Sequence, residues 1–316
     1  MKIRTHLRIA TALVTAFGLH LSAVAQDAQV GPPEIIHHRI NPNEGGPHTA
    51  FGEAPTAGST SKLKQPLSYH GGAVISTPTV YLIWYGDWNQ TNGTDDANGQ
   101  KILTDFFQAL GGSPYYKINS TYVGSSNAIS GNVTYGGAYT MTGYPYGVAL
   151  SDANIQQIAG SAIGAGLGPA GGDTNGIYFV LTSSDVNESS GFCTQYCGWH
   201  THGTIGGRDI KYAFVGNAAR CITSCADQST SPNGNAGVDG MVSVCAHECE
   251  EATTDADLNA WYNRRGSENG DLCAWTFGAT YQVSNGSYAN MKLGTRDFLI
   301  QRNVKIESSG QFCELK

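Results

Sequence analysis

All eight cysteines of this 316-residue chain lie beyond residue 190, and three pairs share the spacing C-x3-C: Cys193/Cys197, Cys221/Cys225 and Cys245/Cys249, followed by Cys273 and Cys313. Two chemistries compete for such a set, a thiolate metal cluster and a disulfide framework, and the redox compartment decides between them. The start of the chain speaks to that. Lys2, Arg4 and Arg8 precede an apolar run from Ile9 to Val24, and Ala23-Val24-Ala25 gives the small-x-small pattern of a cleavage site. This predicts a secretory signal over 1–25, cut after Ala25. An even cysteine count in an exported chain then predicts disulfides, and structural zinc sites favour the shorter C-x2-C knuckle. Eight cysteines allow roughly a hundred pairings, so spacing alone does not assign them. The arrangement expected here crosslinks the two loop pairs to each other and ties Cys245 and Cys249 to Cys273 and Cys313.

Composition narrows the function classes. Charged residues make up only 14% of the chain, Gly numbers 41, and the formal charge is −7 without any Lys/Arg cluster. That balance argues against nucleic acid as a partner. No apolar stretch reaches the length of a membrane span, so none is expected in the mature chain. The 40% hydrophobic content excludes a disordered polymer.

Residues 26–66 carry six prolines and few large apolar side chains, and are expected to form an extended leader; its His37-His38 pair fits a solvated tail. From about residue 67 to 316 we expect one α/β or α+β domain. Val74–Tyr85 predicts a buried strand, Lys101–Leu110 a helix stopped by Gly111-Gly112, and Tyr115–Val123 and Gly131–Thr140 further strands, the second at an edge. Ser151-Asp152 caps a helix over 153–163. Gly176–Thr182 and Ile210–Val215 are apolar strands, and Val238–Thr253 is a helix. The remainder, from Asp255, is expected to be loop-heavy, with strand character at Asp297–Ile300.

The helix holds the most informative residues, His247-Glu248-Cys249-Glu250-Glu251. Positions i and i+4 share a helix face, so His247 and Glu251 can reach one cation. Glu248 stands where the general base of an H-E-x-x-H metalloprotease stands, with Glu251 replacing the second histidine. A catalytic zinc wants three protein ligands and an open position. Glu268, 17 residues after Glu251, resembles the third ligand of thermolysin-like enzymes, and that resemblance implies Asp271 as the brace of His247 through its other ring nitrogen. Seven of the chain's 25 acids fall between His247 and Asp271. The chemistry implied is metal-assisted hydrolysis with Glu248 taking the proton of a water. The extra carboxylate leaves calcium as the alternative to zinc. His200 and His202, in an H-x-H alternation that turns both rings to one side of a strand, are candidate extra ligands or an oxyanion donor.

Other hydrolase classes fit less well. There is no G-x-S-x-G elbow, and export disfavours a cysteine nucleophile. Paired-carboxylate glycoside hydrolysis stays open, given 16 Tyr and five Trp able to hold sugars. Six N-x-S/T sequons, at Asn89, Asn92, Asn119, Asn132, Asn187 and Asn285, suggest mostly exposed loops.

Several segments together resemble the EXORDIUM or phosphate-induced protein 1 family: Tyr69-His70-Gly71-Gly72, Val80–Gly86, Val180–Val186, Gly191-Phe192-Cys193 with Cys197-Gly198, Val215-Gly216-Asn217 with Cys221 and Cys225, and Gly234–Met241. The resemblance implies a secreted protein whose plant members are extracellular or cell-wall proteins linked to growth. His247-Glu248-x-x-Glu251, with Asp255, Asp257, Trp261, Glu268 and Asp271, departs from the plant pattern and looks like a microbial branch. The order of strands and helices before the His-Glu helix also looks like a zincin metalloprotease, which implies a single zincin-like domain with a mixed sheet, an active-site-type helix and a disulfide-rich C-terminal part. Two functions follow as expectations: a secreted zinc peptidase acting on an extracellular peptide, or a non-catalytic protein binding a cell-wall polymer, with a structural metal or none.

Overall fold

The computed structural model describes residues 55–316 and the backbone of the strand Ile36–Arg39. The expected signal over 1–25 and most of the expected leader lie outside the described residues.

Apolar β-branched and aromatic runs build the centre. The first core strand (β2, Thr79–Tyr85) is buried from Val80 onward, and β4 (Gly176–Thr182) is buried throughout. Strands buried on both faces belong inside a parallel sheet, and these two pair in parallel, Val80 beside Ile177 and Trp84 beside Leu181. β3 (Thr134–Met141) joins the outer side of β2, also in parallel. β6 (Arg208–Gly216) continues the parallel set beyond β4. β5 (Tyr196–Ile205) then turns back antiparallel to β6, and β1 (Ile36–Arg39) pairs antiparallel with β5. The six-stranded mixed sheet has the order β1-β5-β6-β4-β2-β3.

Helices cover the sheet. α1 (Ala97–Leu110) connects β2 to β3, and α2 (Asp152–Gly164) connects β3 to β4. The two connections cross the sheet in opposite directions, so right-handed crossovers place these helices on opposite faces. α1 shares its face with α3 (Ala236–Thr254), against which it packs. Every residue of α3 from Gly237 to Thr254 is buried. The acid-rich stretch Glu248–Glu251 is thus interior rather than a solvated helix end. β5 and β6 pack on α3 from one side, and the C-terminal segment reaches it through Gln301 N–H, which donates to Ser243, and Asn303, which donates to Glu250.

Several expected elements sit where the sequence puts them. Gly176–Thr182 is a strand with those bounds, Ser151 caps α2 through a reciprocal box with Asn154, and the 134–141 strand lies at a sheet edge. Others shift. β2 begins at Thr79 rather than Val74, because Pro78 interrupts the run and Ile75 N–H instead donates to Thr253 of α3. α1 starts four residues before Lys101, because the Asp96 carboxylate accepts from Gly99 N–H at 2.7 Å and caps a segment whose Asn and Gly look like a loop. The strand expected over 115–123 is a 3-10 turn, Tyr116–Thr121. Ser113 Oγ accepts from Tyr116 N–H, and the Tyr116 hydroxyl bonds Thr253 in α3, so side-chain anchoring overrides the β preference of the tyrosines.

Three disulfides form: Cys193–Cys221, Cys197–Cys225 and Cys273–Cys313. The first two crosslink the loop pairs as expected. The expected tie from Cys245 and Cys249 does not form; both are buried free thiols on α3, and Cys273 and Cys313 bond each other, their Cα atoms 5.5 Å apart. Asn119, one of the six sequons, is fully buried, which contradicts its expected place on an exposed loop.

Candidate metal centre

Three segments converge on the C-terminal half of α3. The helix supplies His247, Glu248 and Glu251, β5 supplies His200, and the loop after Tyr262 supplies Glu268 and Asp271. The Cys273–Cys313 disulfide fixes that loop's end to the last hairpin. Two glycines allow the approach. A Cβ at Gly198 of β5 would lie 2.6 Å from Val244 Cγ1 and 3.1 Å from Glu248 Oε1. A Cβ at Gly270 would lie 2.8 Å from His247 Nδ1 and 2.9 Å from Glu251 Oε1. Alternation along β5 turns His200 to the same face as Gly198, toward α3.

Glu251 is the hub. His247 Nε2 lies 3.0 Å from Glu251 Oε1 and 3.8 Å from Asp271 Oδ1. His200 Nε2 lies 3.6 Å from Glu251 Oε2 and 3.0 Å from Glu268 Oε2. Asp271 N–H donates to Glu251 Oε1 at 2.9 Å. Ligating atoms of His200, Glu248 and Glu251 fall within 4.8 Å of one another, and so do those of His247, Glu251 and Asp271. Glu268 enters through His200. All of these side chains except Asp271 are buried to 2% exposure or less.

The electrostatics are those of acids crowded without enough cations. Burial, with Glu251 and Asp271 nearby, pushes the Glu248 carboxyl well above the usual range. Burial and the neighbouring Glu251 do the same to Glu268. Burial also works against an ionised Glu251, but His247 and then His200 hold it below its ordinary value. Burial opposes the charged His247 ring, and the Glu251 carboxylate overcomes it, so this pKa rises. His200 is lowered by burial to about 4 and stays neutral, a competent ligand form.

The residues fit a divalent cation. Both carboxylate oxygens of Glu248 and the Nδ1 of His200 are buried without a hydrogen-bond partner, and buried polar atoms are normally paired. Two imidazoles and several carboxylates, in two groups that share Glu251, offer nitrogen and oxygen donors to a metal ion. His247, Glu248, Glu251, Glu268, Asp271 and His200, all singled out from sequence, come together here. His202 does not join them. Its Nδ1 sits 2.7 Å from Asp209, and Lys211 lies 2.7 Å from Asp209 and 3.1 Å from Asp257, making a half-exposed charge network of its own. Glu250 also faces elsewhere, where Asn303 Nδ2 donates to it at 2.7 Å. The contribution of Gly198 and Gly270 was missed in the sequence, since nothing in a one-dimensional pattern marks which glycine another element will press against.

Among the described residues no helix is long and apolar enough to cross a membrane. Residues 67–296 match the phosphate-induced protein 1 conserved region. Protein EXORDIUM-like 3 of Arabidopsis thaliana is 31% identical over 293 residues, 83% of each chain. EXORDIUM-like 5 of the same plant is 30% identical over 277 residues, 74% of each chain, and PHOSPHATE-INDUCED 1 of Nicotiana tabacum is 30% identical over 230 residues, 63% of this chain and 67% of that one. No solved structure matches.

Proposed function

This chain belongs to the phosphate-induced protein 1 family, and from that premise we propose that it is a secreted zinc-dependent hydrolase, a peptidase, built on a zincin-like domain. The observation that carries the reading is Glu248: a fully buried carboxylate with neither oxygen partnered, set beside His247, Glu251 and His200. The sheet supports it. Four parallel strands are followed by antiparallel β5, and the His-Glu helix comes after β6 and packs against β5. His247 and Glu251 would hold the ion, with Glu268 and His200 completing the set and Asp271 bracing Glu251 and His247. Two imidazoles favour zinc over calcium, which prefers an all-oxygen shell. The three disulfides fit an oxidising compartment.

When bound, a divalent cation here supplies Lewis-acid polarisation of a carbonyl and acidification of a water. Glu248, buried with neither oxygen partnered, would be the group that takes that water's proton. Glu251 stays ionised and keeps His247 oriented, while the Asp271 backbone N–H occupies the Glu251 oxygen nearest that ring. His200 donates to or accepts from Glu268 according to its tautomer, which fixes both against β5.

One observation favours a second reading. His200, Glu248, Glu251 and Glu268 are all at 1% exposure or below, as in a site whose ion stabilises rather than reacts; the protein would then bind a cell-wall polymer without catalysis. Zinc-loaded protein incubated with a mixed peptide library separates the two. Hydrolysis by the natural chain, abolished in Glu248→Gln while zinc stays bound, is the expected result. Wall-polysaccharide binding indifferent to Glu248→Gln, with no peptide cleaved, is the result that overturns the peptidase reading.

A further inference from the structure

Four oxygen-bearing side chains meet where the loop after β4 approaches the start of α2. Asp152 is the first residue of α2, Glu188 lies in the two-residue ladder Asn187–Glu188 that pairs with Ala149–Leu150, Ser190 follows it, and Tyr196 opens β5. Glu188 is fully buried and Tyr196 nearly so, while Ser190 is exposed, so a small ligand reaches the set from solvent. Ser190 Oγ lies 2.8 Å from Asp152 Oδ1, 2.8 Å from Glu188 Oε2 and 2.6 Å from the Tyr196 hydroxyl. That hydroxyl also touches Glu188 Oε2, and Ser190 N–H donates to the same oxygen at 2.8 Å. Glu188 Oε1 is buried with no hydrogen-bond partner.

The protons do not cover these contacts. Each of the four oxygen–oxygen contacts needs a proton between its atoms. Ser190 and Tyr196 bring one each, and ionised carboxylates bring none. Two contacts are left as bare oxygen pairs at hydrogen-bond distance, beside a carboxylate whose other oxygen is orphaned, whereas buried polar atoms are normally paired. One added proton still leaves one contact without. A cation relieves all of them together, because oxygens bound to one ion lie close to one another with no proton between them. The donors are all oxygen, which selects a hard ion of the calcium class over zinc.

We infer that Asp152, Glu188 and Ser190 form a calcium site, with the Glu188 oxygens, an Asp152 oxygen and Ser190 Oγ as ligands, water completing the shell and the Tyr196 hydroxyl donating to Glu188. The ion fastens the first turn of α2 to the segment that runs into the Cys193–Cys221 disulfide and, through Tyr196, to the start of β5. None of these residues belongs to the α3 cluster, and calcium here requires no hydrolytic activity there.

The test uses the full, disulfide-bonded chain stripped with a chelator, into which calcium chloride is titrated in a calorimeter. The expected result is one calcium per chain, with a Kd of about 0.1–1 mM, the range of extracellular sites. Glu188→Gln, which keeps the shape and removes the charge, weakens binding at least about tenfold, since ligand charge sets calcium affinity. Asp152→Asn, at the half-buried end of the set, weakens it in the same direction and serves if Glu188→Gln does not fold. Calcium at about 100 times its Kd shifts the unfolding constant of the natural chain about 100-fold in urea titration, and shifts that of Glu188→Gln far less. His247→Ala keeps the calcium equivalent, which separates this site from the α3 cluster. No calcium bound by the natural chain overturns the inference, and the oxygens then share added protons instead. Equal binding in the natural chain, Glu188→Gln and Asp152→Asn, or an equivalent lost in His247→Ala, overturns it as well.

Discussion

Replacing Glu248 with Gln stabilises the metal-free protein at neutral and alkaline pH, and the gain disappears in acid. Glu248 is fully buried, neither of its oxygens has a partner, and a Glu248 oxygen lies within 4.8 Å of Glu251. Two unit charges at that separation repel by about 3.5 kcal/mol at an effective dielectric constant near 20. That repulsion adds to burial in raising the Glu248 carboxyl. The folded protein therefore keeps a proton on Glu248 over a pH range in which the unfolded chain has released it. There the unfolded state binds fewer protons, so the unfolding free energy falls as pH rises, by about 1.4 kcal/mol per pH unit for this one group. The contribution is fully present below the ordinary glutamate range and is lost as pH climbs toward the raised folded value. Glu250 is shifted in the same sense and acts equally in both proteins, whereas Glu268, raised in part by the Glu248 charge, is relieved in the variant and adds to its advantage. The variant's stability curve is accordingly shallower by one proton, and its advantage grows as pH rises, toward the energy of that repulsion. Urea unfolding in excess chelator, followed by tryptophan fluorescence between about pH 5 and pH 8, measures it. Parallel curves, or a variant less stable throughout, would show that the Glu248 carboxylate is already compensated without an ion and would refute the reasoning.

Gly270→Ala places a methyl 2.8 Å from His247 Nδ1 and 2.9 Å from Glu251 Oε1; zinc affinity by chelator competition falls by about 10- to 100-fold, the range for disturbed ligand supports, with near-UV circular dichroism preserved. His202→Ala leaves zinc stoichiometry unchanged, because that ring pairs with Asp209 outside the cluster; a lost equivalent would show the two networks are one. Removing Cys193–Cys221 by double serine substitution opens a crosslink between residues 28 apart and lowers unfolding free energy by about 3–4 kcal/mol in urea titration. Saturating zinc at about 1,000 times its dissociation constant raises stability by about 4 kcal/mol in the natural chain and not in His247→Ala.

The parts of the fold that announce themselves in sequence are those where one force decides. Gly176–Thr182 is apolar throughout and can only be an interior strand, and Ser151 with Asn154 forms its cap whatever packs around it. Where two forces compete, tertiary contact wins: Tyr115–Val123 has strand propensity, but its tyrosines are drawn onto α3 and the backbone coils. The site was legible through i, i+4 spacing on α3, which is local. The approach of Glu268 to His200 spans 68 residues, and only the presence of acids at a plausible distance hinted at it. The H-x-H alternation puts both rings on one side of β5, but it could not show that only His200 meets α3, while His202, two residues further along, meets Asp209 and Asp257 instead. The free thiols Cys245 and Cys249 escaped because cysteine parity says nothing about burial.

The account turns on whether the buried cluster holds an ion. Metal content of the purified chain by inductively coupled plasma mass spectrometry, beside His247→Ala, asks this directly. One equivalent of zinc per chain, absent from the variant, is the predicted result. No metal after zinc loading, or an equivalent that survives the loss of His247, would contradict it.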